Sequence, residues 1–255
     1  MSLRGIYIKN EQEIAVMREA GRINALALQA VRQAVHPGVT TKELDAIAAS
    51  VLHKHHAKPA FLGVPGAYPY PATTTISIND EMVHGIPGKR KLQEGDIVSV
   101  DCGTIFEGFV GDSAFTMGVG VISPVAKQLM EVTEKALFIG IEQLRAGHHV
   151  GDVGAAIQQF VEAQGLHLTR EYTGHGVGRA MWEGPQVPNY GFSGRGQVLR
   201  PGMVIALEPM VLVGTPRTKV LPDQWTVASA DGSLTAHFEH SVAITQNGPL
   251  ILTVP

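Results

Sequence analysis

Residues 93–118 read QEGDIVSVDCGTIFEGFVGDSAFTMG, two apolar β runs at 97–103 and 109–117 joined by the turn pair Glu107-Gly108. A two-residue loop of this kind closes a hairpin. It pairs Phe106 with Phe109 and therefore Asp101 with Ala114. Side chains alternate between the faces of a strand, so Asp112 falls diagonally opposite Asp101 on the same face. Two carboxylates at that distance can share an ion, and a slip of one residue would part them. Cys102 falls on the other face and reads as a small core residue rather than a nucleophile.

Working outward, three more possible ligands stand in apolar or glycine-lined segments. His175 lies within TGHGVGR (173–179), where flanking glycines let the backbone approach a ligand closely. Glu208 ends the apolar run 203–207 just before Pro209, and Glu239 sits mid-strand in HFEHSV (237–242). Taken alone, Glu208 or Glu239 reads equally as half of a salt bridge, and His175 as a surface loop residue. Together with the hairpin acids they change the balance. Four buried carboxylates and one imidazole need cations to offset them, since an unpaired buried charge costs several kcal/mol. Carboxylate-rich sites take hard or borderline divalent ions, and two ions suit this donor set better than one. A two-metal centre about 3.5–4 Å across is a device for hydrolysis. His237 shares the face of Glu239 and lines the site, whereas His240 points away as a satisfied buried histidine. His53, His55, His56, His148 and His149 sit in polar, surface-like runs.

The rest of the chain reads as a repeated order of helix, helix, strands. Helical patterns cover 11–35, 40–55 (capping box Thr40/Glu43), 123–144 (Ser123 N-cap, Pro124 at the first turn) and 151–164. Residues 58–71 read as loop, 73–79 as a strand, and the chain after 164 as strands and loops. PGVTTKELDAIAASVL resembles AGHHVGDVGAAIQQFV, and EGDIVSVD resembles RPGMVIALE. Asp101 lies six residues after Gly95 as Glu208 lies six after Gly202; Gly38 to Asp101 spans 63 residues and Gly147 to Glu208 spans 61. An internal duplication with its boundary near Gly120 explains both matches, bringing an acid from each half to one site. Chance likeness of two amphipathic helix–strand units is the alternative. No low-complexity linker separates the halves, so residues 1–255 are expected to form one domain, with halves at about 1–120 and 121–255.

At 255 residues, with 44% hydrophobic and 17% charged residues, the composition is that of a globular chain with a substantial core. A formal net charge of −3 gives no long-range attraction to nucleic acid or anionic membrane. The single cysteine excludes an intrachain disulfide and suits a reducing cytoplasm. The first residues, MSLRGIYIKNEQEIAVM, lack the pattern of a secretory leader, and no run of about 18 apolar residues could span a bilayer. A Gly-x-Ser-x-Gly elbow, a His-Glu-x-x-His helix and a Cys-x-x-Cys pair are all missing, which removes the serine-hydrolase, zincin and zinc-finger readings.

With these residues in hand, the chain resembles the type I methionine aminopeptidases of the pita-bread (creatinase/aminopeptidase) fold over nearly its whole length. The segments that carry the likeness are SINDEMVHGIPG, LQEGDIVSVDCG, GFVGDSAFTMGVG, YTGHGVGR, EGPQVPNYG, PGMVIALEPM and WTVASADGSLTAHFEHSVAIT. The resemblance implies an α+β fold, an antiparallel sheet flanked by two pseudo-twofold-related helix pairs. It implies the short bacterial form, acting on nascent polypeptide N-termini at the ribosome as a cytoplasmic monomer, without reading nucleic acid or entering a membrane. It also implies two divalent metal ions (Mn, Fe or Co). Asp112 and Glu239 would bridge them, Asp101 completing one shell and His175 with Glu208 the other. A metal-bridging water or hydroxide would attack the first peptide carbonyl, with Glu208 as proton shuttle and His84 touching the substrate near the scissile bond. The expected product is free initiator methionine from chains with a small second residue.

Two departures bear on function. The family usually reads His-Gly-x-Gly-Arg-x-x-His-Glu-x-Pro, and the second histidine position here holds Trp182, which can only donate, through one indole N–H. In the methionine pocket Tyr70 and Trp225 match the family, while Thr75 and Met181 replace the common cysteine and phenylalanine. The alternatives are a pita-bread peptidase of different specificity, such as an X-Pro enzyme, and a metal-binding but catalytically weakened binding protein.

Overall fold

The computed structural model describes residues 5–255; part of the leader reading falls on residues 1–4, which lie outside the described residues. The element order is α1 (Glu11–Ala34), α2 (Thr41–Lys54), β1 (Lys58–Pro59), β2 (Thr74–Ile78), β3 (Glu81–Val83) and the long hairpin β4 (Ile97–Phe106) with β5 (Phe109–Gly118). Then come α3 (Pro124–Gln143), α4 (Val150–Ala163), β6 (His167–Leu168), β7 (Gly174–Gly176), β8 (Glu183–Val187), β9 (Val204–Leu207) and β10 (Met210–Leu212). The chain finishes with β11 (Thr218–Val220), β12 (Val227–Ser229), β13 (Thr235–His237), β14 (Glu239–Thr245) and β15 (Gly248–Ile251). All four helices stand where the 3.6-residue periodicity places them, within a residue or two. The stretch 58–71 is loop except for β1, whose two residues pair with the far end of β4.

The main sheet runs β1-β4-β5-β14-β9-β7-β8, with β2 added on β4 and β15 on β14, and every pairing in it is antiparallel. One face packs on the helices. Val98, Val100 and Cys102 of β4, Phe115 of β5, Ile205 and Leu207 of β9 and Val242 and Ile244 of β14 join residues of all four helices in one buried cluster. Both helix pairs therefore cover the same face, and the opposite face is left for the acids.

α1 comes unusually close to β5, because a side chain at Gly111 would meet the Gly21 nitrogen at 2.7 Å. That approach lets Asn24, fully buried in an otherwise apolar stripe of α1, reach through to the hairpin. Its amide donates to the Cys102 carbonyl and, at 3.2 Å, to the Gly111 carbonyl, and Ser113 Oγ donates to Asn24 Oδ1 at 2.5 Å. These contacts hold from behind the neighbours of both hairpin acids.

The same devices recur in the two halves. Gly38 (φ +95°) and Gly147 (φ +88°) precede the second helix of each pair, and Gly95 (φ +91°) and Gly202 (φ +86°) precede the strands that deliver Asp101 and Glu208. α2 opens with a capping box and α4 with the Asp152 carboxylate accepting from the His149 N–H at 2.7 Å, and each N-cap residue bridges to the approach of the acid-bearing strand of its half, Thr40 to Lys91 and His149 to Val198.

Candidate metal centre

The hairpin register is the one the turn dictates: Phe106 pairs with Phe109, Asp101 with Ala114 and Gly103 with Asp112. Glu107 (φ +47°) and Gly108 (φ +80°) both take the left-handed conformation that a tight hairpin turn requires. Asp101 and Asp112 therefore share the face away from the helices. β14 inserts beside β5 with Glu239 opposite Ala114, and β9 lies on its other side with Ser241 opposite Ala206. β7 places His175 opposite Ala206 from the far side. The two alanines keep the floor low between the acids and the imidazole. Glu208 follows directly from β9.

Asp112, His175 and Glu239 present ligand atoms that all lie within 4.8 Å of one another, all buried. His175 Nε2 is 3.8 Å from Asp112 Oδ2 and 3.5 Å from Glu208 Oε1. Its Nδ1 lies 2.9 Å from the Gly176 carbonyl, which fixes the proton there and leaves Nε2 with a lone pair directed at the carboxylates. Burial raises Asp101, Glu208 and Glu239 well above the usual carboxylate range, and their mutual negative charge adds to it. Asp112 is pushed up to about 7, burial outweighing its hydrogen bonds to Glu239 and Asp101. Burial lowers His175 to about 4, so it stands as a neutral imidazole.

Asp101 Oδ1, Asp112 Oδ1, Glu239 Oε1 and His237 Nε2 are buried without a hydrogen-bond partner. Asp101 and Glu208 fall outside the tight Asp112–His175–Glu239 cluster, but unpartnered buried carboxylate oxygens are what a cation would satisfy, and oxygen donors with imidazole suit a divalent ion. The residues present fit such an ion.

The centre opens onto a cavity of about 320 Å³. Tyr70, Thr75, His84, His175, Trp182, Glu208 and Trp225, singled out from sequence, all line it. Met181 lies behind the wall, packed with Phe61 against Gly103. Tyr70 is locked by donating to the Gly85 and Thr74 carbonyls at 2.9 and 3.1 Å and meets Trp225 edge to face at 5.1 Å. His84 has φ +61°, a left-handed conformation rare for its type, and burial lowers it to about 4. Trp182 stands 6.4 Å, ring to ring, from His175. Phe61, Val64, Tyr172, Gln186 and Met210 also line the cavity and went unmarked in the sequence. Tyr172, Gln186 and Met210 sit inside segments that carry the family likeness, but nothing local to any of the five marks a cavity wall, and only the pairing of distant strands brings them together.

His237 lines the centre as expected, and His240 faces the helices, where its Nδ1 lies 2.8 Å from Thr253 Oγ1. The strap between His175 and Trp182 is secured by a buried ion pair, Lys9 Nζ to Glu183 Oε2 at 2.6 Å. His53 and His56 are exposed and His55 half-buried, while His148 and His149 are half-buried at the start of α4.

An antiparallel sheet backed by two helix pairs, with buried acids and imidazole at the inner end of a cavity, defines a metal-dependent hydrolase. Residues 15–246 match the model of metallopeptidase family M24, and the chain belongs to that family. It is 49% identical over 249 residues to a methionine aminopeptidase of Clostridium perfringens, covering 98% of this chain and 99% of that protein. Identity to methionine aminopeptidase 1 of Bacillus subtilis is 46%, over 97% of this chain and 99% of the relative. The crystal structure of a methionine aminopeptidase from Thermotoga maritima superposes with a TM-score of 0.95 at 45% identity, covering 98% of this chain and all (100%) of that one. A prolidase from Pyrococcus furiosus shares the fold alone, with a TM-score of 0.79 at 22% identity. Family membership implies use of divalent metal, and the Asp112–His175–Glu239 cluster fits it.

Proposed function

We propose that this protein is a metal-dependent methionine aminopeptidase that releases the initiator methionine from nascent chains whose second residue is small. The observation that carries the reading is the cluster of orphaned carboxylate oxygens at the inner end of a cavity walled by Tyr70, Trp225 and Phe61. The apolar wall suits a thioether side chain, and the acids at its end suit an ionic centre.

Two divalent ions (Mn, Fe or Co) would be held by Asp101, Asp112, His175, Glu208 and Glu239. Held there, the ions supply Lewis acidity toward the scissile carbonyl and toward water. The chain's own groups do the rest. Glu208, half in the cavity and half in the centre, takes up a proton at its carboxylate and returns it to the leaving amine. His84, neutral and held against β2 by the Ile76–Gly85 hydrogen bond, contacts the substrate beside the scissile bond. Tyr70, Thr75 and Trp225 line the methionine pocket, Met181 backs its Phe61 wall, and Trp182 closes it where the family has a histidine.

We further infer that residues 1–255 are one domain of two halves, about 1–120 and 121–255, supported by the paired glycines and N-cap bridges. No helix among the described residues is long and apolar enough to cross a membrane. The family likeness carries the reading of a cytoplasmic monomer that meets its substrates at the ribosome, and the buried free cysteine and net charge of −3 accord with a reducing compartment and with no reading of nucleic acid.

The test is release of free methionine from Met-Ala-Ser and Met-Leu-Ser peptides by metal-stripped protein reconstituted with Mn²⁺ or Co²⁺. Metal-dependent cleavage of Met-Ala-Ser alone is the expected result. Two bound ions without any cleavage would instead support the weakened binding protein.

A further inference from the structure

His237 ends β13, two residues before Glu239. Its backbone is bracketed by one hydroxyl: Thr116 Oγ1 accepts from the His237 N–H at 2.9 Å and donates to the His237 carbonyl at 2.8 Å. That hydroxyl has one proton, so Ser99 Oγ, 2.7 Å away, must be the donor toward Thr116. The imidazole is thus delivered by a fixed backbone, not by a loose loop.

The residue is 2% exposed and its Nε2 has no hydrogen-bond partner. That nitrogen lies 3.7 Å from Glu208 Oε2 and 3.8 Å from Glu239 Oε2. On the other side, His175 Nε2 lies 3.5 Å from Glu208 Oε1. The two imidazoles address the two oxygens of one carboxylate, at spacings too long for hydrogen bonds. Donor atoms bonded to the same ion stand roughly 3–3.5 Å apart when each bond is about 2.1 Å. The His237 Nε2 pairs with Glu208 Oε2 and with Glu239 Oε2 exceed that spacing by only a few tenths of an ångström.

We propose that His237 Nε2 is a sixth protein donor of the metal centre, at its Glu208–Glu239 end. The inference rests on the metal-centre reading above and adds a chemical consequence. A second imidazole turns a carboxylate-dominated donor set toward borderline ions such as Fe²⁺, Co²⁺ and Zn²⁺ and away from Mn²⁺.

The experiment is titration of the metal-stripped full chain with Co²⁺ and separately with Mn²⁺. The Co²⁺ form is followed by d–d absorption and by hyperfine-shifted proton resonances, in the wild type, His237→Gln and His175→Gln. Two sets of shifted imidazole signals are expected in the wild type and one in each variant. His237→Gln should weaken Co²⁺ binding about tenfold or more, with a smaller change for Mn²⁺. Thermal unfolding of the metal-free proteins checks that each variant is folded, and His237→Asn serves in place of His237→Gln if that one is not. Loss of signals in His175→Gln but not in the His237 variant would overturn the inference alone. Retention of every signal in His175→Gln would overturn the metal-centre reading with it.

Discussion

Ser241 completes the strand ladder at Asp112 with its side chain. Its Oγ accepts from the Asp112 N–H at 3.0 Å and donates to the Asp112 carbonyl at 2.8 Å, where main-chain pairing between β14 and β5 has ended after Glu239 and His240. A hydroxyl from the strand carrying Glu239 thus fixes the backbone carrying Asp112.

Ser241→Ala leaves both of those buried main-chain groups without a partner. The expected loss is about 1–3 kcal/mol of stability, measured by chemical denaturation of the metal-free protein. Metal affinity should fall as well, because Asp112 loses its fixed backbone. Unchanged affinity would make Ser241 a purely structural residue.

Lys9→Met removes the counter-charge of Glu183 and should destabilise by about 3–5 kcal/mol, since a buried carboxylate is left unpaired. The double variant Lys9→Met/Glu183→Leu should recover most of that loss. The residual deficit reflects the Ala180 N–H, which donates to Glu183 Oε1 at 3.2 Å. A double-mutant cycle by denaturant unfolding gives the coupling, and additive losses would refute it.

Metal removal should make stability depend on pH with a definite sign. Without cations, Asp101, Glu208 and Glu239 are held well above their ordinary values and Asp112 is held at about 7. His84, His175 and His237 are depressed to about 4, 4 and 3. Below the ordinary histidine value of 6.5 the two sets oppose each other, the folded state binding extra protons at the acids and the unfolded state at the histidines. Above it only the acids differ, and the folded state holds more protons. Stability of the metal-free protein should therefore fall as pH rises through 7, and added Mn²⁺ or Co²⁺ should flatten the decline. Thermal melts across pH 6.5–9, with and without metal, decide the matter; a rise with pH would contradict it.

Trp182→His replaces the bulky indole by the smaller imidazole of the family, which can both donate and accept at the reacting peptide group. The expected gain is about 10²-fold or more in kcat for Met-Ala-Ser, by the size of a single transition-state donor. Steady-state methionine release measures it. An unchanged kcat would mean that the indole already fills the role.

The sheet that carries the acids was readable because a two-residue turn leaves only one register for β4 and β5. Asp101 and Asp112 could be placed on one face from that alone. Glu208 and His175 were suggested by glycine framing and by repeat spacing, but their arrival beside Glu239 depends on β14 entering between β5 and β9, which no local pattern reveals. The short β3 was missed for a similar reason, since Glu81–Val83 is a strand only by pairing with β12. Nothing in the sequence marks Lys9 as buried, and its burial follows from Gly178, where a side chain would meet Lys9 Cε at 2.4 Å. Met181 sat next to Trp182 in the motif, yet the two side chains part, one into the backing and one onto the cavity surface.

The central place of β14 sets an order in time. Of the six proposed carboxylate and imidazole donors, Glu239 is the last to be synthesised, and its strand joins β5 of the first half to β9 of the second. A growing or truncated chain that stops short of it can fold a hairpin bearing two acids, but it has nothing to bridge them to His175 and Glu208. The full donor set therefore assembles only at near-complete synthesis, so an incomplete copy is expected to hold metal less tightly than the finished chain.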